Sequence, residues 1–496
     1  MNSKKVNFLL LFLLVISNSC LSQFFEFEIG IPISANEKDA DANGFYNPFT
    51  NNFILEQQHN GVITRLQYDS SFNLKKKYTI AADSVTFSNS KKKPVFLKEY
   101  CSATGSFEIY GTNTSLQIWQ LNFEEGSDKK IAELKLRQQY KDEHLIAIIP
   151  GKNSISFLSY SEKVDKLMLY DYYFDKGFYQ PKEFLLPEKS LTKEEIKERG
   201  KFLSVKYSTT LYGLYVSDLK NPKNYEISTN NQLFYDDSNI YILIKTPYNA
   251  GFHLLELDRN NGMLSFKNFL INKLNPEKFN TPLEKIPVAT AYDSLLIIQS
   301  SNVNTFEYHF YNIKTKLLSA YYETGADNSL YKLVNSSLSQ IGTYASKDQE
   351  KDITNEKLFI RRKNKGILFL KAAKNGNDSL LLTFGSYTPT EGIGGTLLSF
   401  ATMGIGDLWN FRAGMFQMVP FLTLSRNKFL FAHSKFSLKT LQPSSAIDIT
   451  TTINKFAGNK KIDDLERNSS FIIEKDDKLY IGIFDKKKNK YNMLVY

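Results

Sequence analysis

The stretch SLLIIQSSNVNTFEYHFYNIKTKLLSAYYE, Ser294 to Glu323, holds three apolar runs separated by short polar breaks. Each run has the length and the β-branched and aromatic content of a strand. Asn312 stands at the end of the second run, where its side chain can hydrogen-bond the backbone two residues on and start a turn. The residues after it complete the reversal, so the stretch predicts an antiparallel meander.

The same unit recurs along the chain. NIYILIKTPYNAGFHLLELDRNNGMLSFKNF, Asn239 to Phe269, repeats it with the turn at Asp258, and SFEIYGTNTSLQIWQLNFEEGSDKKIAELKL does so with Asn122. GVITRLQYDSSFNLKKKYTI turns at Asp69, TLYGLYVSDLKNPKNYEI at Asp218, and SFIIEKDDKLYIGIFDKKKNKYNMLVY at Asp485. The intervals Asp69 to Asn122 and Asp258 to Asn312 are 53 and 54 residues, and Asn122 to Asp218 spans 96, close to two such steps. A sheet of three or four strands cannot bury its face alone, so a repeat of this length implies small sheets packed on one another.

That pattern resembles the β-propeller in architecture, although no repeat carries the Trp-Asp ending or the paired glycines of well-known propeller families. The resemblance implies an all-β fold of seven or eight antiparallel meander blades over residues 23–496. The early FEFEIGIPI and the final NMLVY would pair to close the array without an exposed edge. Two β-sandwich domains are the alternative, but no Pro-, Gly- or Ser-rich linker divides the chain.

Composition agrees with sheet. Aromatic residues make up 14% of the 496, with 38 Phe and 29 Tyr, which suit a pleated surface. Gly (25) and Pro (14) are sparse, so Asn, Asp, Ser and Lys must build most turns. The C-terminal lysine triplet Lys486 to Lys488, like Lys75 to Lys77 and Lys91 to Lys93, is expected in or beside solvated turns.

Two segments break the repeat. PEKSLTKEEIKERGK carries a capping box, Thr192 with Glu195, and Gly200 as a stop, which predicts a short inserted helix over 187–200. Residues 385–418, GSYTPTEGIGGTLLSFATMGIGDLWNFRAGMFQM, hold only Glu391, Asp407 and Arg412 as charged residues. They predict a Gly-rich apolar insertion that either buries its own side chains or presents Leu397, Leu398, Phe400, Trp409 and Phe411 to a partner.

The N-terminus predicts export. Lys4 and Lys5 precede the apolar run Val6 to Ile16 and then small polar residues, the order of a signal peptide over 1–22. These eleven residues, apolar except for Asn7, reach about 16 Å as a helix, short of a ~30 Å hydrocarbon core, and no other stretch is long enough to span one. A cut after Ser22 leaves Gln23 first, a layout that resembles exported proteins of the Bacteroidota. Alternatively Ser19-Cys20 resembles part of a lipoprotein signal, with Cys20 acylated and the chain tied to the outer membrane. In either case Cys101 has no intramolecular partner, and it reads as a small buried hydrophobe.

Chemistry is sparse in the sequence. The five histidines are scattered, and there is no zinc spacing, nucleophile elbow, phosphate loop or dinucleotide fingerprint. One segment, DADANGFYNPFT, resembles the first half of an EF-hand-like calcium loop at Asp39, Asp41 and Asn43, with Thr50 where a Glu is needed. Apart from calcium there, no cofactor is expected. The net charge of +10 falls to +8 without Lys4 and Lys5, a modest surplus that favours anionic glycans over cationic partners; export argues against nucleic acid. The expected function is an exported, non-enzymatic binding or scaffold protein of the bacterial cell envelope, with a protein or an anionic glycan as partner. A propeller-type glycan hydrolase or lyase, and a lipid-anchored subunit of an envelope complex, are the alternatives.

Overall fold

Alternating side chains decide how this chain packs, and the strand Leu295–Ser301 shows how. Ile297 joins one apolar cluster and Leu296 and Ile298 join another, because successive residues of a strand point to opposite faces. A strand covered on both faces needs apolar residues at consecutive positions, which is why these runs read as continuous.

The computed structural model describes residues 26–30, 41–59, 62–81, 95–112, 114–186, 196, 200, 203, 215–220, 232–246, 251–270, 286–302, 305–324, 330–341, 351–375, 378–389, 427–444, 471–475, 478–485 and 490–495. These form seven sheets of four or five strands. Sheet I holds Asp41–Asn47, Asn52–His59, Val62–Tyr68 and Leu74–Ala81; sheet II holds Val95–Ser102, Gly105–Gly111, Ser115–Asn122 and Ser127–Lys135. Sheet III holds His144–Pro150, Ser154–Ser161 and Lys166–Tyr173, with Gly177–Phe178 and Lys182–Leu185 along its edge. Sheet IV holds Tyr215–Asp218, Gln232–Tyr235, Asn239–Lys245, Gly251–Asp258 and Leu264–Leu270. Sheet V holds Ile286–Tyr292, Leu295–Ser301, Phe306–Asn312 and Leu318–Thr324. Sheet VI runs in space Lys351–Asp352, Ser339–Ile341, Asn427–Ser437, Ser379–Pro389, Ile367–Lys374. Sheet VII joins Phe471–Lys475, Lys478–Asp485 and Lys490–Val495 to the N-terminal strand Glu26–Gly30.

The fold is therefore all-β and of the β-propeller class, with seven small sheets among the described residues in place of a pair of sandwiches. It divides into two compact units. One holds sheets I and VII, the other sheets II to VI. The expected pairing of the two chain ends is present: Glu26 lies opposite Leu494 and Gly30 opposite Lys490. In the first unit Phe53, Leu55 and Leu66 of sheet I pack on Phe471, Ile473 and Met493 of sheet VII. In the second, consecutive sheets share a cluster at each junction, from II and III through V and VI. Each fully buried Leu, Ile or Phe stabilises by about 1.5–3 kcal/mol relative to exposure, so these shared faces hold the blades together.

The Asx turns form as expected. Asp69 Oδ1 accepts from the backbone N–H of Ser71 at 2.9 Å, Asn122 from Glu124 at 3.1 Å, Asp258 from Asn260 at 2.8 Å and Asn312 from Lys314 at 3.0 Å. At five hairpins, those opened by Asn122, Tyr173, Asp258, Asn312 and Ser437, the backbone turns left-handed four residues on, at Gly126 (φ 64°), Gly177 (φ 79°), Gly262 (φ 70°), Lys316 (φ 63°) and Leu441 (φ 56°). Glycine takes that conformation without strain, whereas Lys316 and Leu441 do not.

Four expectations need correction. Asp218 ends a strand that runs parallel to Gln232–Tyr235, so it does not open the turn of a meander. Sheets III and VI are complete blades that the repeat pattern did not mark, since neither has an Asx opening this turn: Tyr173 and Ser437 stand there instead. Gly385 to Pro389 belong to the strand Ser379–Pro389, so the Gly-rich insertion starts later than 385. Gly200 is itself helical, as are Ile196 and Leu203, so it does not stop the inserted helix; the rest of 187–200 lies outside the described residues.

Candidate functional site

The strands of the second unit carry polar groups into its interior, and their hydrogen bonds show what they do. Glu143, just before sheet III, is buried and accepts from Ser159 Oγ at 2.6 Å, Tyr170 Oη at 2.7 Å and the Arg137 N–H at 3.0 Å. Arg137 Nε donates in turn to the Glu143 carbonyl oxygen at 3.0 Å. Burial, aided by the Glu143 charge, pushes the Tyr170 hydroxyl far above its ordinary range, so it stays a neutral donor.

At the junction of sheets III and IV, Asp171 accepts from Ser156 Oγ and from Lys182 Nζ. Arg259, the first residue of the turn that follows strand Gly251–Asp258, reaches across to donate from Nη2 to Ser156 Oγ at 2.7 Å. Its own carbonyl oxygen accepts from Lys182 Nζ. At the junction of IV and V, Lys316 donates to Glu256 Oε2 at 2.6 Å and Ser265 Oγ at 2.7 Å. The corresponding turns elsewhere deliver apolar side chains. Phe174 stacks on Tyr100 of sheet II with ring centroids 5.3 Å apart, and Phe72 of sheet I lies 5.3 Å from Tyr480 of sheet VII.

Sheet V contains the group closest to a catalytic set. Glu307 Oε2 lies 3.0 Å from Ser300 Oγ and 3.4 Å from His309 Nε2. The carboxylate stands between the serine and the imidazole, so the serine hydroxyl bonds to Glu307 and not to His309, the reverse of the serine–histidine–carboxylate order of nucleophilic catalysis. All three are buried. The arrangement ties adjacent strands.

A last buried group lies where sheet V meets helix α1, Glu356–Lys363, which the sequence reading missed. Lys363 Nζ donates to Gln299 Oε1 at 3.3 Å, and burial lowers the lysine to about 7. The signals for this helix were faint: an Asn355 cap and eight residues with a buried Phe359–Ile360 pair.

Of the residues expected to act, Asp41 and Asn43 lie two apart in the extended strand Asp41–Asn47, opposite Gln58 and Glu56, and Asp39 lies outside the described residues. The backbone of these two residues is extended strand. Gly44 has a packing role instead, since a Cβ on it would stand 2.7 Å from the Phe471 ring. Among the described residues no set of three His, Cys, Asp or Glu side chains is grouped to hold a metal. Cys20, Leu397, Leu398, Phe400, Trp409 and Phe411 lie outside the described residues, as do Lys91 to Lys93 and Lys486 to Lys488. Lys75 to Lys77 lie in the edge strand Leu74–Ala81, beside the turn Asp69 to Asn73 as expected, where their charge protects the edge of the sheet. Cys101 is half-buried, less enclosed than expected. His144, His253, His309 and His433 are buried at separate places.

No known protein family matches this sequence, and no curated protein matches it. Solved structures of similar architecture include the Dos1 propeller, at 10% identity and a TM-score of 0.36 over 95% of this chain and 93% of that one. The WD40 domain of SCAP from fission yeast is similar at 8% identity and 0.36, over 95% and 87%. Kuenenia stuttgartiensis hydrazine synthase is similar at 8% identity and 0.32, over 95% and 98%. These likenesses assign no function, and the blade count rests on the chain's own strand pairing.

Proposed function

We propose that this chain is an exported, non-enzymatic binding scaffold of the bacterial cell envelope. One observation carries the reading: the buried acids Glu143 and Asp171 and the half-buried Glu256 are held by donors from neighbouring strands or sheets, as in a rigid framework whose polar interior serves cohesion. Contacts to a partner protein are assigned to the apolar segment that follows Pro389, through Leu397, Leu398, Phe400, Trp409 and Phe411. The positive surplus of the chain makes an anionic envelope surface a favourable setting.

The test is deletion of Thr390 to Gln417 from the exported protein. The expected result is an unchanged circular dichroism spectrum and melting temperature, with loss of co-fractionation with the envelope. Retained fractionation, or glycan cleavage by the purified protein, overturns the reading. Intact mass of the mature chain checks the export route: a Gln23 start is expected, and a diacylglyceryl mass on Cys20 would replace it with the lipoprotein alternative.

A further inference from the structure

Helix α1 is one-sided. Its buried face consists of Phe359, Ile360 and Lys363, while Lys357, Arg361 and Arg362 face solvent. Lys363 lies one turn after Phe359, at a position where an amphipathic helix places an apolar anchor. The lysine there is fully enclosed, beside the cluster that includes Phe306, Tyr308 and Phe384. Gln299, its acceptor, is also fully buried and leaves its Nε2 without a partner. A local choice that opposes packing so directly marks a site selected for something other than stability.

We propose that Lys363 is a pH-responsive catch that sets how firmly helix α1 is held against sheet V. Among the described residues, the neighbours of the amine offer it no opposite charge. On sheet V, Gln299 and Ser301 are neutral, and Tyr308 is held neutral by burial far above its ordinary range. Glu307 bonds with Ser300 and with His309, and Ser300 alternates with Gln299 and Ser301, so this group belongs to the far face of that sheet. On sheet VI, Leu380, Leu382, Phe384, Ala432 and Phe436 face the same cluster, and His433 alternates with the last two onto the other face. On the helix itself, Glu356 at the opposite end accepts from the Leu330 N–H, and Arg362 donates to Gln340.

The sign follows from the two states. Docked, the amine resists protonation down to about 7; released to solvent, it returns to the ordinary 10.5. Between those values release takes up a proton, so falling pH favours release and rising pH favours docking. Below about 7 both states carry the charge, and the dependence ends.

Hydrogen exchange of the Phe359 to Asn364 amides in the full chain, corrected for intrinsic rates, tests this. The opening constant is expected to fall by about tenfold per pH unit above neutrality and to level below it. Lys363→Met should lower opening and remove the slope. A flat profile in the parent protein, or the same slope in Lys363→Met, overturns the proposal. Should that variant misfold, a carbon-13 titration of the Lys363 side chain in the parent decides: a midpoint near 7 supports the catch, and one near 10.5 sinks it.

Discussion

Two neighbouring junctions in the second unit use the same turn position with opposite chemistry. Phe174 follows Tyr173 and slides between Tyr100 and Phe107, with ring centroids 5.3 and 4.2 Å away. Arg259 follows Asp258 and enters a polar knot with Ser156, Asp171 and Lys182. The turn geometry is local, but the side chain it delivers must match whatever the preceding sheet presents. The apolar latch stabilises through burial alone. The polar latch contributes less net stability, because desolvating its charges offsets their attraction, yet it tolerates the loss of one partner far worse.

The largest effect should therefore come from Asp171→Ala, which leaves Lys182 and Arg259 facing each other without their carboxylate. A loss of about 3–5 kcal/mol is expected from urea denaturation midpoints. Replacing the knot as a whole, Asp171→Leu with Arg259→Met, should cost much less than the single change, and an equal cost would show that the pair is a net stabiliser. Phe174→Ala should lose about 2–3 kcal/mol, since that ring is half-buried, and its loss should not change with salt. In the first unit, Gly44→Ala forces a methyl against Phe471 and should lose about 1–3 kcal/mol. Calcium should not restore it; recovery on adding calcium would return the Asp39, Asp41 and Asn43 site to consideration. The smallest effect belongs to Lys316→Gly. Relief of about 1–2 kcal/mol of left-handed strain offsets loss of the ion pair to Glu256, so the melting temperature should barely move.

The blades with an Asx turn were legible because the Asx bonds within its own loop, so both donor and acceptor lie a few residues apart in sequence. Sheet III escaped for the same reason: Tyr173 opens its hairpin through backbone hydrogen bonds alone, and a tyrosine gives no turn signal. Asp218 misled the spacing argument, since an Asx at a strand end starts a turn wherever it stands, without saying which strand of a blade it ends. The candidate polar groups were almost invisible. Arg259 and Ser156 are 103 residues apart and Lys363 and Gln299 are 64 apart, and no linear pattern joins them.

The sequence by itself determined the strands, most of the hairpins and the pairing of the chain's two ends, because each depends on local periodicity or on edges that must be covered. Only the tertiary structure decided which turn became an apolar latch and which a polar one, and that a lysine would sit where a helix wanted a leucine. Those outcomes depend on the face of a neighbouring sheet, and the energy of a buried charge depends on what surrounds it in space.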